Sequence, residues 1–61
     1  MDRYSEAGHR ELMRCEARLG DRGKALALYR KLVELLDEEL GSSPASETVA
    51  LYEDILRGEE V

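Results

Sequence analysis

The run Gly20-Asp21-Arg22-Gly23-Lys24 sets a lysine directly after a glycine, the pairing that phosphate-binding loops use. Such a loop needs a second glycine five residues before the lysine-bearing pair, a Ser or Thr after the lysine, and a preceding strand. Here Ala25 follows Lys24 and helical periodicity precedes it, so the run reads as a turn between helices. His9, Met13 and Glu16 share one shoulder of a helix, where a general base or metal ligand would need a carboxylate in a cleft. A chain of 61 residues offers little room for one, and packing or surface roles are the plainer reading. Cys15 is a single thiol on an apolar arc, expected to be buried and inert. One Cys and one His supply too few ligands for a structural zinc site. No catalytic residue, metal site, cofactor or small-molecule ligand is expected.

Arg10, Arg14 and Arg18 recur at i, i+4 and i+8 and form a basic ridge. A row of this kind could contact DNA phosphates. Against that stand the net charge of -5 and the lack of a separate recognition helix, so a solvated face is the expectation and direct nucleic-acid binding is not. The charge is unevenly spread: residues 1–31 hold 8 basic and 5 acidic groups, residues 32–61 hold 1 basic and 9 acidic. Glu34, Asp37, Glu38 and Glu39 crowd the C-terminal end of a helix, where the macrodipole disfavours anions by a few tenths of a kcal/mol each. A basic partner surface would offset that cost.

The elements that must position these residues are three helical segments and no strand. Roughly Ser5 to Leu19 places Gly8, Leu12, Cys15 and Leu19 in a narrow arc with Tyr4 beside them, and this arc is expected to face the core. Ser5 is a candidate N-cap, and Gly20 suits the left-handed position that closes a helix. Asp21 can cap a second helix, about Arg22 to Leu40, roughly 28 Å long. Its apolar residues cover about half the circumference, so it must touch two neighbours. The third segment, about 46–57, carries Val49, Leu51, Tyr52, Ile55 and Leu56, with Ser46 or Ser43 as cap. The short turn 19–23 forces the first two helices antiparallel. The fold class expected is all-α, an antiparallel helical hairpin plus a third packed helix, with residues 1–61 as a single small helical domain and the tail 58–61 frayed. Leu28, Tyr29, Leu32, Leu35 and Leu36 should form the core centre, contacted by Leu12 and Leu19 from one side and by Leu51, Ile55 and Leu56 from the other.

Two stretches carry a resemblance. Leu19-Gly20-Asp21-Arg22-Gly23-Lys24-Ala25-Leu26-Ala27-Leu28-Tyr29 looks like the middle of a tetratricopeptide repeat, with a turn glycine, a small Ala and an aromatic residue four positions on. With His9-Arg10-Glu11-Leu12-Met13-Arg14, Leu35 to Gly41, Pro44 and Ala50 to Leu56, the chain resembles the C-terminal part of the bacterial transcriptional activator domain. That is the tetratricopeptide-like helical domain that follows a winged-helix DNA-binding domain in streptomycete antibiotic-pathway regulators. The winged-helix part and the earlier repeats are absent here, so the resemblance implies a fragment of such a regulator or a stand-alone relative. It implies a protein–protein interaction and self-association role in transcriptional control, without catalysis.

A small core also points to association. A chain this short buries only about 60% of its unfolded surface, and cores of this size supply few kcal/mol without staples. The candidate interaction surface comprises Met13, Glu16, Ala17, Leu26, Val33, Glu34, Asp37 and Glu38. Glu16 stands where the family has a large apolar residue, and it is expected at the rim of an open groove with a cation from a partner or second copy as counter-ion. The expected partner is a second copy, or another protein with a basic surface that a small acidic regulatory protein would occupy. A minimal DNA-binding protein is the weaker alternative. No run reaches the 18 apolar residues of a membrane span and no signal peptide is evident, which places the chain in the cytoplasm with Cys15 reduced.

Overall fold

The computed structural model describes residues 5–61, which form α1 (Glu6–Arg18), α2 (Arg22–Leu40) and α3 (Ser46–Leu56). Tyr4, expected beside the arc of the first helix, lies outside the described residues. No strand occurs among the described residues, and the fold is all-α. Ser5 caps α1, its Oγ accepting from the Gly8 N–H, and Asp21 caps α2, its Oδ1 accepting from the Lys24 N–H at 3.0 Å. Both α1 and α2 end where a glycine takes up a left-handed conformation, Gly20 at φ 85° and Gly41 at φ 60°, which costs any residue with a Cβ about 1–2 kcal/mol. The Gly20 reversal folds α2 back along α1 and brings Lys24 to Glu16.

Side-chain ties fix the direction of α3. Glu6 and Arg10, at the start of α1, meet Ala45 and Thr48 at the start of α3, while Arg22 Nη1, at the start of α2, donates to the Leu56 carbonyl at 3.2 Å. Thus α1 and α3 run parallel to each other and antiparallel to α2. All three helices touch, so α3 braces the hairpin on both of its members.

Met13, Ala25, Leu51 and Ile55 form one buried cluster, and Leu32, Leu36 and Thr48 are also buried. Ala17 of α1 packs against this cluster, to which α2 contributes the equally small Ala25. Tyr29 and Tyr52 stack between α2 and α3, with centroids 4.0 Å apart and planes 15° off parallel.

Four expectations are corrected. Leu12 is 53% exposed, Leu19 79% and Leu56 47%, so the leucine arc of α1 faces solvent and Met13 enters the core instead. At 100° per residue, Gly8, Leu12, Cys15 and Leu19 occupy an arc of about 60°, while Glu6, Met13 and Ala17 lie about 150° away from its centre. Met13 and Ala17 give a flatter surface than a row of leucines, and only this rotation of α1 also brings Glu6 and Arg10 to α3. Leu28, Tyr29 and Leu35 are half-buried, leaving Leu32 and Leu36 as the centre of the buried side of α2. Neither Ser43 nor Ser46 caps α3; Ala45 is at its N-cap with no side-chain bond of its own. Finally, the tail 58–61 turns back: Val61 packs on the core cluster and its main-chain oxygen accepts from Arg18 Nε and Nη2 at 3.0 and 2.6 Å. A valine at that end finds an apolar edge, so the segment is tied down.

Candidate functional site

The polar network at one end of the bundle is structural. Glu6 Oε2 accepts from the Ala45 N–H at 2.9 Å and from the Thr48 hydroxyl at 2.7 Å, and Arg10 Nη1 donates to the same Thr48 oxygen at 2.9 Å. A carboxylate from another helix therefore supplies the cap that Ala45 cannot, and places negative charge at the positive end of α3. Thr48, fully buried, has its hydroxyl satisfied both as donor and as acceptor. Burial works against the charge on Glu6, but the Ala45 N–H, the Thr48 hydroxyl, Arg10 and His9 outweigh it and hold the carboxyl below its ordinary value. Burial, then Tyr52 and the carboxylates of Glu53 and Glu6, push the Tyr29 phenol up.

The residues suspected of chemistry are dispersed. His9 Nδ1 lies 3.0 Å from the Ser5 carbonyl, Met13 is inside the core, and Glu16 Oε2 pairs with Lys24 Nζ at 3.2 Å, so this trio forms no cluster. Among the described residues no group of three His, Cys, Asp or Glu side chains stands close enough to hold a metal ion. The arginine ridge is not a free basic face either: Arg10 turns inward to Thr48, Arg14 bonds Glu11 at 2.6 Å, and Arg18 holds Val61. Lys24 lies one turn into α2, as a helix-start residue.

Of the candidate interaction surface, Met13 is excluded by its complete burial. Ala17 and Leu26 are half-buried against the core cluster, and Val33 is half-buried. Glu16 is half-buried, and within the chain its carboxylate pairs with Lys24. Glu34, Asp37 and Glu38 are exposed on the second half of α2.

What the sequence reading missed is the outer face of α1. Gly8, Leu12, Cys15 and Leu19 all face solvent, so the thiol expected to be buried is exposed. Their spacing of four, three and four residues was the available signal, since that rhythm is the seam of paired helices as much as the inner face of one. Among the described residues, Leu40, 57% exposed at the end of α2, is the other large apolar side chain left open besides Leu56.

No helix among the described residues is long and apolar enough to cross a membrane. No curated protein and no solved structure matches the chain. The family model of the bacterial transcriptional activator domain matches residues 1–56, the whole of the three-helix unit, and the helical architecture agrees with the resemblance drawn from the turn and flanking motifs. The chain therefore belongs to the bacterial transcriptional activator domain family, a family of transcription-regulator domains.

Proposed function

We propose that this chain is a protein–protein interaction and self-association module of a bacterial transcription regulator, working in the cytoplasm by binding and not by catalysis. The observation that carries the reading is the solvent-facing stripe of Leu12, Cys15 and Leu19 on α1. An amphipathic helix normally turns its more apolar arc inward. Here the more apolar arc is left outside, and covering it would remove leucine surface from water at about 25 cal/mol per Å². Family membership supports the regulatory setting.

Sedimentation equilibrium tests the reading. A mass rising from 6.9 kDa toward twice that value with concentration is expected, and a monomer from about 1 µM to about 1 mM refutes self-association. A second reading has its own observation: Glu34, Asp37 and Glu38 are exposed near the C-terminal end of α2, where carboxylates are locally unfavourable. In that reading the monomer docks these groups on a basic surface of a transcription or signalling protein. A monomer whose capture of a transcription partner is lost in an Asp37→Asn, Glu38→Gln variant would favour it.

A further inference from the structure

Resting on the self-association reading, we infer that the occupant of the outer α1 face is the same face of a second copy, the two α1 helices lying antiparallel. Gly8, Leu12, Cys15 and Leu19 follow the four-three-four rhythm of a paired-helix seam over about 17 Å of helix, and all are exposed. Gly8 has no side chain, which lets a neighbouring backbone come close at the end of the seam where Leu19 of the other copy would sit.

The charges flanking the seam choose the partner and its direction. At 100° per residue, Glu11 and Arg18 border the seam on one side, and His9 and Glu16 border it on the other. In an antiparallel pair each border meets the same border of the other copy. Glu11 then faces Arg18 of the second copy, Arg18 faces its Glu11, and His9 and Glu16 face each other twice. A parallel pair would set Glu11 against Glu16 of the second copy, twice, a like-charge contact that opposes pairing. The seam is thus self-complementary in one direction only, as a two-fold contact between identical chains requires. Glu11 and Arg18 are both exposed, and neither belongs to the core that holds the fold. With only about two heptads, the contact should be weak when measured between isolated chains.

The test exchanges the two charges in separate variants. Glu11→Arg puts Arg opposite Arg18 in a self-pair, and Arg18→Glu puts Glu opposite Glu11, so each variant alone should dimerise at least about tenfold more weakly than the natural chain. Mixed in equal amounts, the two should associate again, because every flanking contact between them is then attractive. Sedimentation equilibrium reads all three samples, with circular dichroism confirming helicity. Because Arg18 also holds Val61, Leu12→Gln provides a second variant with that tie intact, and it should lose dimerisation while keeping its melting temperature at low concentration. A natural chain that stays monomeric overturns both the self-association reading and this inference. A natural dimer unaffected by Glu11→Arg and Leu12→Gln overturns the seam alone, and a dimer tightened by Glu11→Arg overturns the antiparallel direction.

Discussion

Replacing Met13 and Leu12 separately by Ala measures which face of α1 the fold uses. Met13 is fully buried within the cluster of Ala25, Leu51 and Ile55, whereas just over half of Leu12 is open to solvent. Burying a methionine side chain is worth about 1.5–3 kcal/mol, and the cavity left by its truncation brings the expected loss to about 2–5 kcal/mol. The whole stability of a chain of this size is only about 3–9 kcal/mol, so Met13→Ala should remove a large share of it. Leu12→Ala removes a side chain that has kept half its contact with water and leaves no enclosed void, and it should cost within about 1 kcal/mol. Urea unfolding followed by far-ultraviolet circular dichroism gives both values. The titrations belong at low protein concentration, where mass-action stabilisation by a dimer does not enter. A loss for Leu12→Ala equal to or greater than that for Met13→Ala would show that α1 is rotated the other way, and the seam built on its outer face would go with it.

Glu6→Gln should cost about 1 kcal/mol at neutral pH, the usual worth of a helix cap, because the amide cannot match a carboxylate at the start of α3. Since Glu6 is held below its ordinary value of 4.5 in the folded chain, its contribution is fully present above that pH and is lost as pH falls through the lowered value. The gap between the natural chain and Glu6→Gln should therefore close as unfolding midpoints are measured below about pH 4.5, and a gap unchanged to about pH 3 would refute the capping role. Leu32→Ala, at a fully buried position of α2, should lower stability by about 2–5 kcal/mol, and a near-natural melting temperature would remove Leu32 from the core. Gly41→Ala places a Cβ in the left-handed conformation with no contact to compensate it, so a loss of about 1 kcal/mol is expected in the same melts.

The helices and their ends were legible because they rest on local chemistry. Ser5, Asp21 and Gly20 act on backbone groups within four residues of themselves, and each does in the fold what its type and position foretold. The inward positions Leu32 and Leu36 on α2, and Leu51 and Ile55 on α3, were legible too, since those helices carry one apolar side each or lie between two neighbours. The cap of α3 was not, because it comes from Glu6, 39 residues away in the chain. The anchoring of Val61 by Arg18, across 43 residues, escaped for the same reason.

By itself, then, the sequence determined the class, the three helices, their order and the family. Only the tertiary structure decided the rotation of α1. Periodicity ranks faces by how much apolar surface they carry, and by that measure Leu12, Cys15 and Leu19 outrank Met13 and Ala17. The fold ranks them by what they meet. The Met13 and Ala17 face lets α1 lie close on Ala25 while Glu6 and Arg10 satisfy Ala45 and Thr48, and no rotation that buries the leucines makes those bonds. Apolar area is a property of one helix, whereas closeness of approach and completed hydrogen bonds belong to helix pairs, which exist only once the chain has folded.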